Sequence, residues 1–141
     1  MKNKKSRTQT RTYAMEVVYQ WLHTGDEVQS VIQRYQEKKW IDGDYLETLV
    51  QGSLAKRQEI DTTITPFLEG RSLEEVTQIE YAILLVASFE LMYQFDVPYR
   101  VVINEAINLS KQYGAVDSHK FINSVLDRLA KQVRGIECQG S

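Results

Sequence analysis

The sequence predicts an all-α protein, and three observations support this prediction. Hydrophobic residues recur with a spacing near 3.6 residues along almost the whole chain, and sustained strand-like alternation is hard to find. Only 7 glycines and 2 prolines occur among 141 residues, too few for the many turns of a β-sandwich. The length suits one domain with a core of its own. We therefore expect about seven helices in a single domain of residues 1–141, most simply as two small bundles that share a central helix.

The first three predicted helices each combine an apolar stripe with turn residues at an end. The first spans about 8–23 and ends at the turn residues 24–26. The second spans about 27–39, and the break at 42–44 separates it from a third helix over about 44–64. All three helices present one apolar face, so we expect each to pack along that face.

Capping residues and an apolar segment in the second half of the chain predict a central helix. Two capping boxes follow each other closely, at 72–75 and 77–80, which indicates a single turn, a bend and then a new helix. That helix, about 78–94, is apolar nearly all round and therefore belongs at the centre of the molecule. Two further helices are predicted over about 99–113 and 117–133.

Charge is distributed unevenly along the chain. Residues 1–11 carry five basic and no acidic side chains, residues 12–99 carry 6 basic and 15 acidic ones, and residues 100–134 carry 6 basic and 3 acidic ones. Basic ends that meet in the fold would attract a polyanion, whereas a solvated tail that only aids solubility is the open alternative. We expect a flexible basic start at 1–7 and a flexible tail at 135–141.

Motifs of enzymes and of metal centres are missing from the sequence. It contains no glycine-rich phosphate loop, no His-Glu-x-x-His and no nucleophile elbow, and we expect no enzyme and no cofactor. Two histidines and Cys138 are too few for a usual zinc site. The start has no apolar signal region, and the longest charge-free apolar run is nine residues, 81–89. We therefore expect a cytoplasmic protein that does not contact membranes.

Basic residues interleaved with aromatic ones favour binding to single-stranded nucleic acid. The basic start leads into a helix that bears Tyr19, and a similar mixture of cations and rings near the other end comprises Lys111, Tyr113, Lys120 and Phe121. Such a mixture neutralises phosphates and stacks bases. Tyr19 and Phe121 also lie at helical spacing with core positions, so a core role is the alternative for each.

The segment DVPYRVVINEAINLSKQYG at 96–114 continues into DSHKFINSVLD at 117–127, and this run resembles the NusB family of transcription antitermination factors. Residues 72–93 fit the central helix of that family, and the basic start followed by Ala14 and Tyr19 fits its N-terminus. The resemblance implies an all-α, NusB-like fold of two three-helix bundles. It also implies binding to the boxA RNA of nascent ribosomal RNA, together with NusE, the tenth protein of the small ribosomal subunit. With other Nus factors on RNA polymerase, such proteins promote read-through of terminators.

The resemblance also assigns candidate site residues. Together with the aromatic and basic pattern, it gives these expected RNA-contacting residues: Lys4, Lys5, Arg7, Arg11, Tyr19, Asp117, Ser118, Lys120 and Phe121. The acidic surface that would receive NusE includes Glu74 and Glu80. For Glu80 the alternative is a carboxylate that only stabilises the positive end of its helix.

Two other interpretations stay open at this point. RNA cytosine methyltransferases that modify small-subunit ribosomal RNA open with the same fold and continue into a large cofactor-binding domain, so this chain would be a fragment of one. A protein-binding adaptor without an RNA site is the second alternative, against which the five basic residues of the start argue.

Overall fold

A computed structural model describes residues 6–139, and within this range it contains eight α-helices, two short 3₁₀ helices and no β-strand. The α-helices are α1 (Arg7–Thr24), α2 (Gln29–Gln36), α3 (Gly43–Ala55), α4 (Arg57–Ile64), α5 (Gln78–Tyr93), α6 (Tyr99–Tyr113), α7 (Ser118–Val133) and α8 (Gly135–Gln139). The 3₁₀ helices are Thr65–Phe67 and Leu73–Glu75. The all-α prediction is confirmed.

The helix α5 is the centre of the molecule, as its composition predicts. Helices α1, α2 and α3 pack together on one side of it, and α6 and α7 pack against it on the other. Eleven of its sixteen residues are buried. The α3 helix approaches α5 closely because Gly52 has no side chain, and a Cβ there would overlap the ring of Phe89. The two bundles therefore share α5.

Both predicted capping boxes are present at the entrance to α5. The Ser72 N–H donates to Glu75 Oε1 at 2.8 Å. Thr77 N donates to Glu80 Oε1 at 3.1 Å, and Glu80 N donates back to Thr77 Oγ1 at 3.2 Å. These reciprocal bonds satisfy backbone donors that have no partner inside a helix, which is why α5 begins where the sequence predicts.

The structure differs from the sequence-based expectation at three places. The helix predicted over 44–64 is two helices, α3 and α4, because the backbone leaves helical geometry at Lys56 (φ −101°, ψ 11°). At the start, the Ser6 side chain accepts a hydrogen bond from Gln9 N and Arg7 is the first residue of α1, so residues 6 and 7 have regular structure. Near the other end, α8 occupies residues expected in a flexible tail.

The C-terminal end of α5 is closed by a buried arginine, Arg134, which is 4% exposed. Its Nε donates to the Leu91 carbonyl at 2.8 Å, and its Nη1 donates to the Val97 carbonyl at 2.9 Å. Its Nη2 donates to the carbonyls of Glu90 and Gln94 at 3.1 and 3.0 Å. Leu91 lies in the last turn of α5, where carbonyls lack partners within the helix, and Gln94 and Val97 lie in the connection that follows. One guanidinium therefore ties the end of α5 to that connection.

Candidate nucleic-acid interface

Arg7 is the exposed cation at the N-terminal end of α1. Its guanidinium lies over the Tyr45 ring at 3.8 Å, and its Nε is 3.5 Å from Asp42 Oδ2. The side chain is 42% exposed, so the outer face of the guanidinium is open to a phosphate. Lys4 and Lys5 lie outside the residues that the structure describes.

Arg11 is buried, which corrects the expectation that it lies on an RNA-facing surface. Its Nε and Nη2 donate to the two carboxylate oxygens of Glu90 at 2.8 and 2.9 Å, and the Tyr45 hydroxyl donates to Glu90 Oε2 at 2.5 Å. Burial lowers the pKa of Arg11, but the hydrogen bond and the charge of Glu90 outweigh it, so the pKa is raised. With 4% of its surface exposed, Arg11 belongs to the core.

Tyr19 lies half-buried in the second half of α1. Its ring packs against the ring of His23 with 4.5 Å between centroids. The pair occupies the C-terminal turns of the helix, where His23 is exposed. A contact between Tyr19 and RNA stays a prediction.

Asp117 and Lys120 are the exposed residues of the segment that begins α7. Their side chains are 76% and 73% exposed and form an ion pair at 3.5 Å. Exposed pairs of this kind contribute little to stability, so Lys120 can exchange Asp117 for a phosphate at small cost. Both remain candidates for RNA contact.

Ser118 and Phe121, by contrast, are buried beneath that segment. The Ser118 hydroxyl donates to Glu80 Oε2 at 2.8 Å. Phe121 is 4% exposed, and the guanidinium of Arg71 lies over its ring at 3.9 Å. The expectation that Phe121 presents a free face to a base is therefore wrong, and the core role left as its alternative is confirmed.

Glu80 is also buried, at 4% exposure, so the expectation that it offers its charge to a protein partner on the surface is wrong. One of its carboxylate oxygens accepts from Thr77 N and from Arg71 Nη1, the latter at 3.2 Å, and the other accepts from Ser118. Glu80 thus joins the start of α5 to the start of α7. Glu74, in the second 3₁₀ helix, is exposed and stays a candidate for the partner surface.

Arg71 is the residue that sequence reasoning missed. Its side chain is 39% exposed, pairs with Glu80 and covers Phe121. The signal was present, because Arg71 is the only basic residue between Arg57 and Arg100 in an acidic stretch. A guanidinium whose inner face rests on a ring keeps its outer face for a phosphate or a base.

The candidate segments offer cations to solvent. Residues 6–139 contain no cluster of His, Cys, Asp and Glu that could hold a metal ion. No helix in this range is long and apolar enough to cross a membrane. Arg7, Arg71 and Lys120 remain as exposed or half-exposed cations at the sites that the sequence selects or the structure adds.

Comparison with known proteins gives a consistent result. A profile of the NusB family matches residues 8–131. The transcription antitermination protein NusB of Xanthomonas axonopodis pv. citri (strain 306) is 44% identical over 138 residues, which cover 96% of this chain and 86% of that protein. NusB of T. maritima superimposes with a TM-score of 0.86 at 26% identity, covering 96% of this chain and 99% of the other. A structure of the antitermination factors NusB and NusE in complex with dsRNA matches with a TM-score of 0.78 at 24% identity, over 89% of this chain and 96% of the other.

Proposed function

Because this chain belongs to the NusB family, we propose that it is a transcription antitermination factor that binds boxA RNA together with NusE. In this role it acts in the cytoplasm without catalysis, and with other Nus factors it promotes read-through by RNA polymerase during synthesis of ribosomal RNA. Two findings support the proposal: the name of the 44% identical relative and the shared fold with a NusB protein solved with NusE and RNA.

The observation that carries the RNA part of the proposal is the anchored turn at the start of α7. Its buried side fixes the backbone, since Ser118 bonds to Glu80 and Phe121 packs under Arg71. Its outer side presents Lys120 and the outer face of Arg71 to solvent. A rigid backbone with mobile cations above it suits a phosphate chain, because little ordering is needed on binding.

The protein partner is proposed to dock on the acidic part of the chain. NusE is a ribosomal protein, and RNA-binding proteins of that class are basic, so the exposed carboxylate of Glu74 complements it. Glu80 contributes indirectly, because it fixes the bend that carries Glu74.

The test is a titration of labelled boxA RNA with the protein alone, with NusE alone and with both together. Replacing Arg71 and Lys120 by Gln is expected to weaken binding and to flatten the log–log dependence on salt by roughly 0.7 per lost phosphate contact. Lys131→Gln is the matched control, since Lys131 is an exposed α7 lysine that pairs with Asp127 on its own helix.

An unchanged salt dependence in the Arg71 and Lys120 variants would contradict the RNA site. Binding to NusE without any binding to RNA would favour the protein-binding adaptor instead. The relative that is 44% identical is named as an antitermination protein, which favours the proposed function over the methyltransferase interpretation.

A further inference from the structure

Trp40 is an exposed indole in the connection between α2 and α3. It follows Lys38 and Lys39 in the sequence, and 52% of its surface is exposed. Its backbone adopts the left-handed conformation with φ at 77°, which bulky residues rarely adopt. Neither the proposed RNA turn nor the partner surface uses this residue.

The backbone of the segment around Trp40 is fixed on both sides. The Ser6 N–H donates to the Trp40 carbonyl, and Ser6 and Ile41 form an isolated parallel bridge. Ile41 is 4% exposed, and the next backbone N–H, that of Asp42, donates to Thr10 Oγ1 at 2.9 Å. Strained conformations persist where the surroundings determine them this strongly, and they are frequent at functional sites.

Lys38, Lys39 and Trp40 line the same surface pocket, whose lining also includes Asp44. Lys38 and Lys39 are exposed, and the Lys38 amine lies 5.6 and 5.9 Å from the ring centroids of Tyr13 and Tyr35. The hydrogen bond from Ser6 also joins Trp40 to the residue that follows the lysine-rich start in the sequence. The nearby carboxylate of Asp42 is already paired with Arg7. An exposed ring that shares a surface pocket with two lysines suits a nucleobase and its phosphates better than an apolar protein surface.

We propose that Trp40, with Lys38 and Lys39, forms a second RNA subsite that stacks one unpaired base beside the boxA element. The inference rests on the proposed function, and it adds a contact at the opposite end of α1 from Tyr19. RNA bound there runs past the N-terminal end of α1, where Arg7 is exposed.

The experiment compares two single-stranded RNAs, the boxA element alone and the same element extended by unpaired nucleotides on both sides. For Trp40→Ala we expect affinity for the extended RNA to fall by about 5- to 100-fold, the loss that follows from removing one stacking ring. Affinity for the short RNA should stay that of the wild type. Trp40→Phe keeps a ring at the same position and should keep most of the affinity for the extended RNA.

Fluorescence gives a second measurement on the folded protein. In a Trp21→Phe background the only indole is that of Trp40, and the extended RNA should quench it while the short RNA does not. Phe95→Leu is the matched control, because Phe95 is an exposed ring (61%) that lies beside Arg134 in the other bundle. Its affinity for both RNAs should equal that of the wild type.

The outcomes separate the two proposals. If Trp40→Ala binds each RNA with the same affinity as the wild type does, the second subsite is overturned and the proposed function stands. An equal loss for both RNAs, or a loss of NusE binding alone, also overturns it, since Trp40 would then belong to the main site or to the protein interface. A wild-type protein that binds neither RNA, whether alone or together with NusE, overturns the proposed function and this inference with it.

Discussion

The two ends of α5 each bury a carboxylate against an arginine, yet the two pairs are built differently. At Glu90 both oxygens bond to Arg11, whose side chain is 5% exposed, and Tyr45 adds a third hydrogen bond. At Glu80 the arginine is Arg71, which is 39% exposed and contacts the carboxylate at 3.2 Å. The Arg11–Glu90 pair is sealed inside the protein, whereas the Arg71–Glu80 pair reaches the surface.

This contrast separates the arginine that stabilises the fold from the one that is available to a ligand. Removing one partner of a buried pair leaves an uncompensated charge, so such a pair cannot release its arginine. A half-exposed pair is solvated and costs little to rearrange. The Glu90 pair therefore joins α1 to α5, whereas the Glu80 pair keeps a guanidinium at the surface.

The largest effect is expected from breaking the sealed pair. Arg11→Ala should lower the free energy of unfolding by about 3–5 kcal/mol, because Glu90 would remain buried without its cation. Urea unfolding followed by circular dichroism measures it. Arg7→Ala, one turn earlier on the same helix, should cost less than about 1 kcal/mol since that pair is exposed. Equal losses in the two variants would refute the distinction.

A smaller effect is expected where Glu80 holds the α7 segment. Ser118→Ala removes a buried hydrogen bond to a carboxylate and should lower the free energy of unfolding by about 1–3 kcal/mol. RNA affinity should fall as well, because the turn that carries Lys120 loses its anchor. Ser124→Ala is a suitable control, since the Ser124 hydroxyl bonds to an exposed carboxylate, that of Glu69. Unchanged RNA affinity in Ser118→Ala would show that Glu80 does not position the turn.

The surface arginine of the second pair should matter least to stability. Arg71→Ala loses a stacking contact with Phe121 and a half-exposed ion pair with Glu80. It should cost about 1 kcal/mol in thermal or urea unfolding, because Glu80 keeps its hydrogen bonds from Thr77 and Ser118. Its effect on RNA affinity should exceed its effect on stability. A variant as unstable as Arg11→Ala would mean that the two ends of α5 are equivalent after all.

The stability of the protein should also depend on pH in the alkaline range, with no change at neutral pH. Burial and the bond to Asp61 raise the pKa of Tyr81 to about 12, and burial and the charge of Glu90 raise that of Tyr45. A raised folded pKa gives stability that is complete below pH 10 and is lost as the pH rises toward the folded pKa. The urea midpoint should therefore fall between pH 10 and 12, and Tyr81→Phe should flatten that decline. A midpoint independent of pH over this range would contradict both shifts.

Sequence reasoning succeeded where the controlling interactions are local. The capping residues Thr77 and Glu80 are three positions apart, so the start of α5 follows from the sequence alone. The family resemblance also selected the correct fold. The break at Lys56 escaped because the apolar stripe continues across it.

Sequence reasoning failed for side chains whose contact partner lies far away along the chain. Arg7 and Arg11 are four residues apart and read as one basic face, yet Arg11 pairs with Glu90, 79 residues away. A single glutamate inside the apolar run of α5 requires a buried cation, and that was the available signal. Phe121 and Ser118 were assigned to the surface for a similar reason, since Arg71 and Glu80 cover them from other elements.

The way in which Arg134 closes α5 has a consequence for synthesis on the ribosome. A chain emerges from its N-terminus, so α5 is complete about forty residues before the Arg134 guanidinium that bonds to the Leu91 carbonyl becomes available. Until then the Leu91 carbonyl relies on water, and the connection after α5 is not yet held to the end of that helix. The N-terminal bundle has its own buried pair within residues 11–90 and can form first. Translation therefore supplies the Arg11–Glu90 pair first, and Arg134 completes the same end of α5 last.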